Sequence, residues 1–300
     1  MRKPNTPPRG LRKTLSVLAA GIMLTAGLAA LPANAATTTA GLPDHIVNGD
    51  FEYPKGLLPL NGHTLTGKLS EDWWYNWTSI SPTDGTYLDF ATNKQWAATA
   101  PWKPISNFNA TQFGWKSTQD GTGFSTDSER KAGAVEIQHD YKTGNIYAEM
   151  TAAQQHTAIY QDIATTPGAV YTWSLKHASM DGVAVNKMSV LIGAPGKETA
   201  QEAYRTTVNG AGDTVGDVGT VIATNVKGVG GQRDYSNAWE TYTGKYVVPA
   251  GQTVTRFTFK AVDSLDDTHG NMLDDISFTV SYPLKYDLKG GSGTAPQQHD

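Results

Sequence analysis

From Leu42 onward the apolar residues recur at every second position, not at every third or fourth. Val135 and Ile137 alternate with Glu136 and Gln138. Ile159, Gln161 and Ile163 alternate with Tyr160 and Asp162, and Tyr171, Trp173 and Leu175 with Thr172, Ser174 and Lys176. Phe257, Phe259 and Ala261, then Ile276, Phe278 and Val280, repeat the pattern. Neighbouring side chains on a strand point to opposite faces, so this period predicts strands with one face buried and one solvated. Thr166-Pro167-Gly168, Ala194-Pro195-Gly196 and Pro249-Ala250-Gly251 punctuate the runs as turns. Lys197–Tyr204 has the pattern of a short helix. Many strands joined by Pro/Gly turns predict an antiparallel β-sandwich.

The chain has 300 residues and no cysteine. Disulfide scaffolds, zinc–cysteine sites, iron–sulfur clusters and thiol catalysis are therefore excluded. Only 17% of the residues are charged. The formal net charge of −4 conceals an asymmetry. Removing Arg2, Lys3, Arg9, Arg12 and Lys13 leaves 19 Lys and Arg against 28 Asp and Glu, a net of −9. Nucleic-acid binding rests on Lys and Arg neutralising phosphates, so an acidic chain is a poor partner for it.

The basic residues precede an apolar run, Leu15 to Leu31, which ends in Pro32-Ala33-Asn34-Ala35-Ala36. This is the tripartite pattern of a secretory signal peptide over 1–35, cut after Ala35. The expected product is secreted or attached to the cell wall, with no membrane span after cleavage. Residues 36–41 are expected to be a linker, 42–282 the sandwich domain and 283–300 a tail.

Four stretches carry a family resemblance. Val47-Asn48-Gly49-Asp50-Phe51-Glu52 resembles a first strand. Ile159–Ile163, Thr166-Pro167-Gly168 and Tyr171–Leu175 together resemble a central hairpin. Trp239-Glu240 with Tyr246–Gly251 resembles a late hairpin, and Gly270–Phe278 a closing strand. In this order they resemble the jelly-roll carbohydrate-binding modules of the galactose-binding-like group. The fold class implied is all-β, an antiparallel jelly-roll β-sandwich. Tyr286–Thr294 resembles the start of a Listeria–Bacteroides type repeat, which implies one part of a longer, adhesin-type surface protein.

The resemblance also implies a structural Ca²⁺ tying the first strand to the last, held by Asp50, Glu52, Asp274 and Asp275. Asp274 is expected on the face of Ile276 and Phe278, where a carboxylate is costly unless paired or bound to metal. A turn cap is the other reading of Asp274.

Six of the eight tryptophans fall between positions 73 and 115: Trp73, Trp74, Trp77, Trp96, Trp102 and Trp115. Sugars present C–H faces that stack on flat rings, and amides bond their hydroxyls. Trp is equally a core residue. Trp74, Gln95, Trp96, Trp102 and Trp115 are the candidate ligand residues, and Gln138, Glu149 and Gln161 are candidate polar neighbours on a sheet face. The partner expected is a glycan, or another host or cell-wall surface ligand. Two other readings stay open: a structural spacer without a ligand, and a glycoside hydrolase or lyase. For the last, Glu136, Glu149, Asp162 and Glu240 offer carboxylates, but no pair stands out.

Overall fold

The computed structural model describes residues 39–60, 63–64, 77–88, 102–121, 131–139, 143–150, 154–179, 186–206, 212–214, 220–222, 239–264, 266–267 and 270–281. In chain order the strands begin with β1 (Pro59–Leu60), β2 (His63–Thr64), β3 (Trp77–Ser81), β4 (Thr86–Leu88) and β5 (Trp102–Pro104). A single turn of helix, α1 (Ala110–Phe113), precedes β6 (Lys116–Ser117), β7 (Val135–His139), β8 (Ile146–Glu149) and β9 (Ala158–Ala164). Then come β10 (Val170–Ser179), β11 (Lys187–Gly193), β12 (Thr199–Ala200), β13 (Tyr204–Thr206), β14 (Gly212–Thr214) and β15 (Thr220–Ile222). The last three are long: β16 (Glu240–Val247), β17 (Val254–Asp263) and β18 (Asn271–Ser281).

Beside the small β1–β2 pair, two sheets form. The long sheet has the order β14-β13-β16-β10-β18-β8-β7-β3-β4-β5. The short sheet runs β12-β11-β17-β9-β6, with β15 also on β11. From β8 the chain crosses to the short sheet at β9, returns at β10, crosses again at β11, and repeats this at β16, β17 and β18. This alternation between two antiparallel sheets is that of a jelly roll. Thr166-Pro167-Gly168 and Pro249-Ala250-Gly251 are thus corners between sheets, not the hairpin turns expected of them. The two corners also bond each other: the Gly168 N–H donates to Val248 O at 2.8 Å and the Val248 N–H to Ala169 O at 2.9 Å.

The core lies between the sheets. Tyr171, Trp173 and Leu175 of β10 point into it, as their alternation predicted, with Phe278 of β18 and Phe257 and Phe259 of β17. Trp173 meets Phe257 edge-on with ring centroids 6.1 Å apart, and Tyr171 stacks on Phe278 at 4.5 Å. Gly244 lies directly across from Trp173; a Cβ there would stand 2.3 Å from the indole, so only glycine lets the ring cross β16. Lys197–Tyr204 is not helical. It contains β12 and ends at the start of β13, because sheet pairing overrides a weak local preference.

Candidate functional site

Strand register assigns the side chains that face away from the core on the long sheet. Trp77, Gln138 and Tyr147 share one row across β3, β7 and β8. Ser79, Glu136, Glu149, Met272 and Ala178 share the next row, which extends to β18 and β10. Alternation predicted that Glu136 and Gln138 would be solvated. They are buried instead, at 5% and 1% exposure, as is Glu149 at 1%.

One amide organises this face. Gln138 Nε2 donates to Glu136 Oε1 at 2.9 Å and to Glu149 Oε2 at 2.8 Å. Both amide hydrogens are thereby directed at carboxylates that sit opposite each other on neighbouring strands. Beside the trio, Tyr147, Ala178 and Met272 form a second apolar cluster against which Trp239 packs. Tyr147 and Trp239 meet edge-on with centroids 5.4 Å apart. Trp77 is half-buried at the end of its row. Aromatic rings thus flank a buried, hydrogen-bonded polar trio.

The candidate ligand residues from the sequence divide. Trp102 lies on β5 at the sheet edge, half-buried, opposite Leu88 and on the outer side. Lys131 Nζ sits 4.9 Å from its ring centroid, so a cation already covers the ring. Trp115 is a core residue, not a platform. It is 1% exposed, stacks on Phe51 at 5.1 Å, and donates its Nε1–H to Asn48 O at 2.8 Å. Its place follows from α1, which Asn109 caps at the N-terminus and Gly114 ends at φ 74°, turning the next side chain inward. Trp74, Gln95 and Trp96 lie outside the described residues, as do the signal sequence over 1–35 and the repeat-like Tyr286–Thr294. Gln161 faces the core and braces Val47, accepting from its N–H at 3.0 Å and donating to its O at 2.6 Å. What marked Trp77 was its adjacency in sequence to Trp73 and Trp74; what would have marked Trp239, with no such cluster around it, was only its place before a strand.

Val47–Glu52, expected as a first strand, forms turns instead, and it meets the last strand where β18 is irregular. Ser174 pairs with Ser277 but Lys176 pairs with Asp274, so β18 carries one extra residue there, and Asp275 adopts φ 46°. The bulge reverses the parity beyond it. Asp274 therefore sits opposite Lys176 on the outer side, not on the face of Ile276 and Phe278 as expected. Segment 48–52 docks at the bulge: the Ile276 N–H donates to Gly49 O at 2.9 Å, and the Ile146 N–H to Glu52 Oε1 at 3.0 Å. A Cβ on Gly49 would lie 2.0 Å from Ile276 O, which explains the glycine.

Four carboxylates lie near this junction, in two kinds. Asp50 is exposed and accepts from the Glu52 N–H at 3.2 Å, and Asp275 pairs with Lys176 at 2.5 Å. Asp274 is buried, accepting from Asn145 Nδ2 at 2.8 Å and from the Asp275 N–H at 2.8 Å. Burial is the main cause that pushes Asp274 up to about 7; the Asn145 hydrogen bond opposes it, and the Asp275 charge adds to it. Glu52 also accepts from Lys55 Nζ at 2.8 Å. Among the described residues no three His, Asp or Glu side chains gather as a metal group. Glu52 and Asp274, anchored on adjacent residues 145 and 146, have the donor chemistry Ca²⁺ prefers. Asp50 and Asp275, engaged elsewhere, do not share that anchor.

No family model matches the chain, and no curated protein matches it. Solved structures do. CBM4, a carbohydrate-binding module, is similar at 18% identity over 56% of this chain and 86% of its own, with a TM-score of 0.33. The CBM22-1 xylan-binding domain from Paenibacillus barcinonensis Xyn10C shares 12% over 49% and 80%, at 0.29. CBM35 from Cellvibrio japonicus Abf62 shares 18% over 55% and 92%, at 0.28. The likeness is one of fold, and the jelly roll assigned above stands on the strand order itself.

Proposed function

We propose that this chain is a non-catalytic glycan-binding module of the bacterial surface, exported by its N-terminal address, with its ligand taken on the outer face of the long sheet. The observation that carries this is the Glu136–Gln138–Glu149 cluster flanked by Trp77, Tyr147 and Trp239 on that face. Trp77 and Trp239, the half-buried rings, meet the C–H faces of a sugar, and the buried trio fixes the strands beside them. Hydrolysis would need open space between two carboxyl groups for the scissile bond. Here the Gln138 amide bonds to both carboxylates at once and all three side chains are buried, which leaves no such space between them.

A glycan array probed with residues 36–300 tests this. A polysaccharide hit is expected, its affinity falling at least about tenfold in Trp77→Ala and in Trp239→Ala, the loss of roughly 1.4 kcal/mol. A silent array, or a hit that neither substitution weakens, favours the spacer reading. A structural Ca²⁺ between Glu52 and Asp274 is a second proposal. Ca²⁺ takes six to eight oxygens, so backbone carbonyls of the junction would complete the set. Bound there, the ion would neutralise Asp274 and hold segment 48–52 on β18.

A further inference from the structure

At one end of the core, Asn271 joins the two sheets. Its Nδ2 donates to the Asp263 carbonyl on β17 of the short sheet at 3.2 Å. Its Oδ1 lies 2.8 Å from His177 Nε2 on β10 of the long sheet. The first bond fixes the amide orientation, because a carbonyl cannot donate. The oxygen end therefore faces the imidazole, and His177 must carry its proton on Nε2. Nδ1 is left as a bare lone pair, fully buried and with no partner among the described residues.

A second proton can enter only at Nδ1, where no hydrogen-bond acceptor among the described residues meets it. One carboxylate faces this strand position, that of Glu240, and it is already engaged by a hydroxyl. On β16, Glu240 is the cross-strand partner of His177, and its Oε2 accepts from the Tyr242 hydroxyl at 3.3 Å. Tyr242 presents its ring edge-on at 6.0 Å. On β18 the opposite residue is Leu273. On the short sheet, Asp263 and Lys187 form an ion pair out at the surface, at 3.8 Å.

We propose that the His177–Asn271 clasp is an acid-sensitive latch: protonation of Nδ1 opens this end of the sandwich and loosens the neighbouring stretches of β10 and β18. Those stretches carry Ala178 and Met272 on the outer face, so opening the latch disturbs the candidate ligand surface as well. Burial pulls the imidazole down to about 4, with the Asn271 bond opposing it. The sign follows. A histidine whose proton affinity is depressed by folding contributes stability fully above its unfolded value near 6.5, and that stability is lost as the pH falls toward 4. The effect on ligand binding rests on the outer-face reading, but the latch itself does not, and the test below needs no ligand.

Amide hydrogen exchange at residues 177–179 and 271–274 is compared at pH 7 and pH 4 in the wild type and in His177→Gln. The glutamine keeps a donor for Asn271 and removes the titrating nitrogen. Protection in the wild type is expected to fall about a hundredfold, and that of the variant to fall far less. An equal loss in both overturns the latch. If the variant does not fold, an NMR titration of His177 in the wild type decides the matter. Titration well below the ordinary histidine range upholds the latch, and titration within that range overturns it.

Discussion

Two tryptophans from the same sequence window have opposite fates, and single residues decide which. Trp115 follows the helix-ending Gly114 and is driven into the core, whereas Trp77 sits on the outward parity of β3. Trp115→Ala should therefore cost about 3–5 kcal/mol in denaturant unfolding. Trp77→Ala should cost far less stability and act on ligand affinity. Composition marked the aromatic window but could not separate these cases, because parity depends on pairings with β7 and β9 that are distant in sequence. Asp274 makes a second residue-scale prediction. A carboxyl raised on folding contributes its stability below its unfolded value near 3.8 and loses it as the pH rises through about 7. In EDTA, the wild type should lose about 2–3 kcal/mol between pH 5 and pH 8, and Asp274→Asn should stay level. Added calcium should abolish much of the wild-type loss, and no protection by calcium would argue against a metal at the junction.

At the scale of elements, the period-two pattern located β7, β9, β10, β17 and β18 correctly. It was blind to two things. It could not tell a hairpin turn from a corner, because Thr166-Pro167-Gly168 serves either geometry and only the bonds to Val248 and Ala169 separate them. Nor could it register the extra residue at Asp275, which moves Asp274 to the opposite face. The two close approaches give sharp tests. Gly244→Ala forces a methyl against the Trp173 ring and Glu202 O, and Gly49→Ala forces one against the Ile276 carbonyl. Each should lose about 3 kcal/mol in chemical denaturation, the upper end of overpacking costs. Ala169→Gly, which removes only a methyl beside a corner, should fall well short of that. A Gly49→Ala protein as stable as the parent would mean that segment 48–52 does not dock on the bulge.

For the whole molecule, the sandwich was legible because alternation and turn chemistry agree along most of the chain. The site was only partly so. Gln138 and Glu149 were visible as polar residues on strands. Their convergence with Glu136 was not, because it arises from the pairing of β7 with β8, and both faces of those strands are closed. What remains partly open there is Trp77 and Trp239, and the proposal that these rings receive a glycan is the one to test. NMR chemical-shift mapping tests it most directly, with the best glycan from the array titrated into labelled residues 36–300. Shifts are expected to centre on Trp77 and Trp239, with smaller ones at Gln138 and Tyr147 beside them. Shifts centred instead on the outer side of the short sheet, around Tyr160 and Arg256, would contradict it.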